Sequence, residues 1–312
     1  MIERSATEVQ KGSTDVTIDL TPFSPPTGSM KRVLAGILGQ KKRTRTCPDM
    51  PRLEGKRVLV TGGAAGVGEL IARGAEVTTL ARGKSQGSGL LDGVKRLSAD
   101  LADPESIIKA VDSLDDQPFD LLICNSGLLA QKEEFMKTGF EKTFAVNVLG
   151  HHLLYRLLIE RGLLAKDARI VMTTGDIYRM DDECSPYIPF DSTPKTYARS
   201  KLGNLWQVSI LAERSPDLHP IAVHPGVIAS GFSGAKTGFL AWLRSQFLIS
   251  EQQGAQSALI AATQNLPRGS YWHNVFGLVN LAEDDPALNH RAAKKLWDQL
   301  EEITEPFLNN SE

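Results

Sequence analysis

Tyr197 and Lys201 stand four residues apart in TYARSKLGNLWQVSILAERS, a segment whose apolar residues recur at helical intervals. Residues at i and i+4 share one face of a helix. There a lysine ammonium can draw a phenol's pKa down from about 10 toward neutrality and make it a general acid or base. Such pairs also arise by chance in many helices, so the place of this one in the chain decides its weight. A second group lies far upstream. Thr61-Gly62-Gly63-Ala64-Ala65-Gly66-Val67-Gly68 joins a β-branched run to a helical stretch that begins at Glu69. A glycine-rich turn between a first strand and its helix lets backbone N–H groups approach a pyrophosphate at the helix N-terminus. The next β-branched run ends at Arg82, 20 residues after Gly62. An acidic residue there would hold the ribose 2′-hydroxyl of NAD, whereas an arginine suits the 2′-phosphate of NADP.

The elements that must position these residues follow from periodicity. LVT (59–61), EVTTLA (76–81), LLIC (121–124), RIVMTT (169–174) and IAVH (221–224) read as strands, with VKRLSA (94–99) a weaker one. Helical patterns separate them, among them PESIIKAVDSL, GFEKTFAVNVLGHHLLYRLLIERGLL and EQQGAQSALIAATQNL. Strands apolar on both faces, alternating with helices, predict a parallel sheet covered on both sides. The expected fold class is α/β, a Rossmann-type doubly wound parallel sheet in a single domain over 53–312, with an N-terminal extension over 1–52.

Composition narrows the function classes. The chain has 312 residues, 41% of them hydrophobic and 23% charged, which is enough to bury a sizeable core. No apolar run approaches the roughly 18–20 residues of a membrane span, so an integral membrane protein is not expected. Three cysteines without a CxxC pair supply neither a disulfide framework nor a four-thiolate zinc site, and fit a reducing, cytoplasmic setting. His151 and His152 lack a ligand cluster at zinc spacing, and no metal is expected. The net charge of −2 gives no case for nucleic acid. Charge is uneven, however: residues 31–45 carry six cations and no acid. Residues 1–29, rich in Ser, Thr and Pro, read as disordered. Val33, Leu34, Ile37 and Leu38 then recur at helical spacing near 30–40, as a short basic amphipathic helix that rests on an anionic membrane surface or a partner, packs on the domain, or is only a solvated arm.

The ordered motifs resemble the short-chain dehydrogenase/reductase family over roughly residues 56–280. TGGAAGVG is similar to its cofactor turn, Asp100-Leu101 to its adenine-binding Asp, Cys124-Asn125-Ser126-Gly127 to its NNAG strand end, and Asn147 to its active-site helix asparagine. Tyr197 and Lys201 match its catalytic pair, and His224-Pro225-Gly226-Val227-Ile228-Ala229-Ser230 its segment near the nicotinamide. The runs around Asn147, SKLGNLW and GSYWHN look most like the retinol-dehydrogenase-like reductases. The resemblance implies a cofactor site of Thr61, Gly62, Gly66, Val67, Gly68, Arg82, Asp100, Leu101, Asn125, Gly127, Tyr197, Lys201, Pro225, Gly226 and Ser230. It implies NADP(H) ahead of NAD(H), and an apolar alcohol, aldehyde or ketone as substrate. In its mechanism Tyr197 passes a proton to or from the substrate oxygen, Lys201 holds the nicotinamide ribose, and Asn147 keeps a bent backbone and a water in place. Relatives often pair through the helices that carry Asn147 and Tyr197, which implies a homodimer or homotetramer.

Two departures stand out. The family's catalytic serine follows the fifth strand, but here the chain reads Met172-Thr173-Thr174-Gly175-Asp176. Thr174 is the expected replacement, and a register one residue later would put Gly175 there and remove the hydroxyl. Asp176 either contributes from the same loop or, as the preferred reading, caps a helix or turn. The first helix is also short: only Glu69–Arg73 separate Gly68 from Gly74-Ala75, which predicts a cramped crossover with one flank of the phosphate site poorly covered. These departures support an alternative of a different class, a catalytically impaired binding or scaffold protein on the same fold.

Overall fold

The computed structural model describes residues 18–26, 29–62, 66–83, 93–228 and 248–309. Its centre is one eight-stranded sheet in the order β3-β2-β1-β4-β5-β6-β7-β8. The strands are β1 (Arg57–Thr61), β2 (Glu76–Ala81), β3 (Lys95–Ser98), β4 (Phe119–Cys124), β5 (Leu164–Thr173), β6 (His219–His224), β7 (Tyr271–His273) and β8 (Gly277–Leu278). All neighbouring pairs are parallel except β7–β8. Every run read as a strand is one, and the doubly wound parallel sheet is confirmed. Side chains alternate across a strand, so Leu59 and Leu122 enter one apolar layer while Val58, Val60, Leu121 and Ile123 enter the other.

Helices α1 (Ser29–Ile37), α2 (Val67–Ala72), α3 (Pro104–Asp112), α4 (Gly150–Glu160), α5 (Thr193–Arg214), α6 (Glu251–Thr263) and α7 (His290–Leu308) complete the frame. Local chemistry fixes their starts: Asp103 caps α3 by accepting from the Glu105 N–H, and Ser250 and Gln253 form a reciprocal capping box on α6. α7 lays Ala293, Leu296, Trp297, Leu300 and Thr304 on α4 and α5. There the Trp297 ring meets those of His152 and Tyr155, while Glu301 accepts from His152 Nε2 at 2.9 Å and pairs with Arg156.

The crossover from β1 to β2 is compact over its described residues, 66–75. Six residues of α2 return about 9 Å against the ~17 Å length of β1, and Arg73 and Gly74 close the connection as a turn. Gly74, at φ +90°, makes the turn, where a β-carbon would come within 2.9 Å of the Glu54 side chain. Ala255 and Leu259 of α6 reach to 3.4 Å from the position a Gly66 β-carbon would take, so α6 packs beside the start of α2.

The N-terminal stretch also corrects its reading. Residues 1–17 lie outside the described residues, but 18–26 is laid along the sheet rather than disordered. Phe23 N–H donates to Leu278 C=O, Asn280 N–H donates to Phe23 C=O, and the Phe23 ring stacks on Phe276 at 5.2 Å. A sheet edge and a ring partner hold it, features that composition does not encode. The basic helix near 30–40 exists as α1, and it packs on the domain.

Candidate active site

The strands of the parallel sheet end at a common rim, and the order reverses between β1 and β4, where ligands bind in doubly wound folds. A cavity of about 970 Å³ opens along that rim. Arg82 and Asp100 stand at one part of it, past β2 and β3, and Tyr197, Lys201, His224 and Gly226 at another, past β5 and β6.

Asn147 sits inside a π-turn, Ala145–Leu149, that precedes α4. Such turns free a backbone group from the helical ladder and recur at functional sites. The Asn147 amide clamps Leu128 from both sides, accepting from its N–H at 2.8 Å and donating to its C=O at 2.9 Å, and donates also to Ser200 Oγ at 3.0 Å. Ser200 Oγ in turn donates to the Tyr197 carbonyl. The expected bent backbone at Asn147 is thus present and tied to the start of α5. His151 extends the tie, bonding Thr61 Oγ1 through Nε2 at 2.9 Å and the Asn147 carbonyl through Nδ1 at 3.2 Å. Burial pushes His151 down to about 4, so it is neutral at pH 7.

Lys201 is buried and donates from Nζ to the Thr173 carbonyl at 3.2 Å, with Nζ 5.2 Å from the centre of the Tyr197 ring. The expected fall in the phenol pKa is reversed: burial raises Tyr197 to about 12 and lowers Lys201 to about 8. The ammonium lies over the ring, and desolvation of the phenolate prevails. Tyr197 therefore holds its proton at neutral pH, the state that donates to a carbonyl oxygen.

Thr174 lines the cavity, but its hydroxyl donates to the Lys201 carbonyl at 2.7 Å, so as a donor it is occupied. Gly175 follows with extended backbone and no hydroxyl. A β-carbon on Gly175 would lie 3.5 Å from the buried His224 Nδ1. Burial lowers His224 to about 3, leaving it neutral.

Asp176 does more than cap a turn. Its carboxylate accepts from Tyr271 Oη at 2.7 Å and His273 Nε2 at 3.1 Å, and pairs with Arg32 Nη2 at 3.0 Å. His273 Nδ1 accepts from the Val275 and Phe276 N–H groups, so its proton is on Nε2. Burial alone would raise the Asp176 pKa, but His273, His224 and Arg32 hold it well below the carboxylate range. Tyr271, Trp272 and His273 on β7 pack beneath the site. Arg32 and its neighbours on α1 were not among the expected site residues, and the available signal was a cation on the apolar side of a helix, which requires a buried acid.

The cofactor residues divide clearly. Gly62, Arg82, Asp100, Leu101, Asn125, Gly127, Pro225 and Gly226 line the cavity. Thr61 is buried and turned away, accepting from the Asn125 and Ser126 N–H groups at 3.0 Å to tie β1 to β4. Gly66, Val67 and Gly68 form the start of α2, with Val67 in the core, and Ser230 lies outside the described residues. The lining fits a dinucleotide. A β-carbon on Gly62 would strike Ser126 Oγ at 2.6 Å, so the rim there stays bare backbone. Gly127 likewise leaves open the approach to Asn147 Oδ1 and Lys201 Nζ, 3.5 and 3.6 Å from where its β-carbon would be. Among the described residues no cluster suited to a metal ion occurs, and no helix is long and apolar enough to cross a membrane.

Comparison with known proteins agrees with this geometry. A family model described as short chain dehydrogenase matches residues 56–183. Dehydrogenase/reductase SDR family member 12 of Bos taurus is 30% identical, the match covering 72% of this chain and 78% of that protein. Retinol dehydrogenase 12 of Mus musculus is also 30% identical, over 81% of this chain and 87% of that protein. A crystal structure of a putative uncharacterized protein from Mycobacterium paratuberculosis shares the fold with TM-score 0.67 and 27% identity, covering 84% of this chain and 98% of the other.

Proposed function

Because the chain belongs to the short-chain dehydrogenase/reductase family, an NAD(P)-dependent oxidoreductase family, we propose that it interconverts a lipophilic alcohol and its aldehyde or ketone with NADP(H). The observation that carries this reading is the single cavity that takes in Arg82 and Asp100, the Tyr197–Lys201 pair, and an apolar chamber lined by Ile177, Met180 and Val227. Arg82, exposed at the end of β2, supports the phosphorylated cofactor, since its guanidinium can pair with a 2′-phosphate. The relatives named retinol dehydrogenase support an apolar alcohol.

When bound, the nicotinamide supplies or accepts the hydride. The chain's own residues do the rest. Tyr197, protonated at neutral pH, gives its proton to the substrate oxygen as that oxygen gains charge. Lys201, anchored on the Thr173 carbonyl, places a cation under the phenol and stabilises the phenolate left behind. Asn147 holds Leu128 and, through Ser200, the Tyr197 backbone, so the donor keeps its position. The apolar lining excludes water. The outward face of α1, with Leu34 and Leu38 exposed beside Lys31, supports a peripheral contact with an anionic membrane.

One observation favours the binding-protein alternative: Thr174 is committed to Lys201, and Gly175 has no hydroxyl to polarise a substrate oxygen. Tyr197→Phe separates the two. It abolishes NADPH-dependent carbonyl reduction while leaving the NADPH-induced rise in melting temperature intact. Equal turnover by the variant would refute the catalytic assignment.

A further inference from the structure

α1 is amphipathic with its inner face carrying Arg32, Val33, Gly36 and Ile37. Three residues at i, i+4 and i+8 pin that face to the catalytic end of the sheet. Arg32, 1% exposed, pairs with Asp176 at 3.0 Å and Asp285 at 3.5 Å. Gly36 lies flat on His273, where a β-carbon would come within 3.2 Å of Nε2. Gln40, just beyond α1, reads the backbone of Val227 as a strand would: its Nε2 donates to the Val227 carbonyl at 3.2 Å and its Oε1 accepts from the Val227 N–H at 3.0 Å.

The three attachments matter because of what they touch. Asp176 is two residues beyond Thr174, and Val227 follows Gly226 of the nicotinamide-side segment. Gly226 itself, at φ +93°, has Gln40 Oε1 only 2.9 Å from where a β-carbon would be. α1 is therefore fixed to both loops that border the Tyr197 end of the cavity. Val33 and Ile37, between the pins, line that cavity together with Ile177, Met180 and Leu129.

We propose that Val33 and Ile37 are specificity-determining residues: α1 is the wall against which the tail of an uncharged, apolar substrate ends, so this helix sets the accepted chain length. The proposal rests on the alcohol/carbonyl reading of the same cavity. The chemistry of the wall supports an alkyl tail. Arg32, the cation on this face among the described residues, is paired with two carboxylates, so α1 offers an acidic tail no partner from its inner face there. The cavity surface that α1 contributes is aliphatic.

The test uses the full chain with straight-chain aldehydes of four to twelve carbons and NADPH, and in parallel the melting-temperature rise produced by butanol and decanol. Ile37→Trp fills the chamber at its wall. It lowers kcat/KM for the longest aldehyde about tenfold or more through KM, and leaves the shortest within about twofold. Ile37→Ala moves the optimum to longer chains, which guards against a tryptophan variant that docks α1 badly. Both variants keep the NADPH-induced shift of the parent. In the binding arm, the decanol shift is lost in Ile37→Trp and the butanol shift is retained. Superimposable chain-length profiles, or equal decanol shifts in parent and variant, overturn the proposal, as does a parent chain that responds to neither alcohol. Failure of the reductase reading looks different: turnover is absent or independent of Tyr197, while the alcohol-binding arm still discriminates the Ile37 variants.

Discussion

Replacing Arg32 by methionine removes the cation from a buried cluster while keeping most of the side chain's apolar volume. Asp176 then loses contacts at 3.0 and 3.2 Å, and Asp285 loses one at 3.5 Å. Breaking a buried pair by deleting one partner costs about 3–5 kcal/mol, because the remaining charge is uncompensated. Here both acids keep other partners: Asp176 retains Tyr271 and His273, and Asp285 retains the Tyr178 hydroxyl, Arg179 and the Ala287 N–H. The cost therefore falls near the lower end, about 3 kcal/mol. Arg32 pins α1 rather than the sheet, so the loss is felt first as undocking of 29–43. Hydrogen exchange of the α1 amides should accelerate about a hundredfold, while amides of β4 and β5 change much less.

A double-mutant cycle isolates the electrostatic part. Asp176→Asn keeps the shape and removes the charge, so the combination with Arg32→Met should cost about 1–2 kcal/mol less than the sum of the single changes. Additive effects, or α1 exchange that rises less than about threefold in Arg32→Met, would refute the view that Arg32 holds the helix by charge.

Four further outcomes are expected. His151 and His224 are buried neutral, held at about 4 and about 3 against 6.5 in the unfolded chain, so the unfolded state binds more protons below pH 6.5. Stability falls as pH drops through that window, by about 2 kcal/mol per histidine at pH 5, and urea midpoints at pH 7 and 5 measure it. With Lys201 lowered to about 8, kcat/KM for carbonyl reduction falls above pH 8 as the ammonium is lost; a limb unmoved in Lys201→Arg rules this group out. Gly175→Ser places a β-carbon at ordinary contact, 3.5 Å from His224 Nδ1, and adds a hydroxyl where the loop has none to spare, so kcat rises about tenfold with stability held within about 1 kcal/mol. Leu34→Glu with Leu38→Glu alters only the exposed face of α1 and abolishes sedimentation with anionic vesicles; unchanged sedimentation refutes the membrane contact.

Much of this was legible because period-2 and period-3.6 patterns dominate the body of the chain. The β-branched runs ending at Thr61, Ala81 and Cys124 had one consistent solution, and the motif order fixed where Tyr197, Lys201 and Asn147 would meet. What escaped depended on contacts far apart in the chain. Arg32 reaches Asp176 across 144 positions, and local spacing does not encode that partner. The phenol's pKa was misjudged for a related reason: i, i+4 spacing brings Lys201 near Tyr197, but only burial decides whether proximity or desolvation prevails. Thr174 was correctly drawn to the cavity, yet the direction of its hydroxyl depends on where the Lys201 carbonyl lies. That α6 packs beside the start of the short crossover was hidden too, because Ala255 and Leu259 come nearly 200 residues later.

The placement of α7 bears on how this protein behaves at low concentration. The helix covers α4 and α5 from within the same chain. Here the cover is tethered to the same chain, at an effective concentration of order millimolar for a short connection. The side chains that close it, Leu296, Trp297 and Leu300, are all buried. The π-turn that holds Asn147 and the first turns of α5 that hold Tyr197 thus keep this support on dilution.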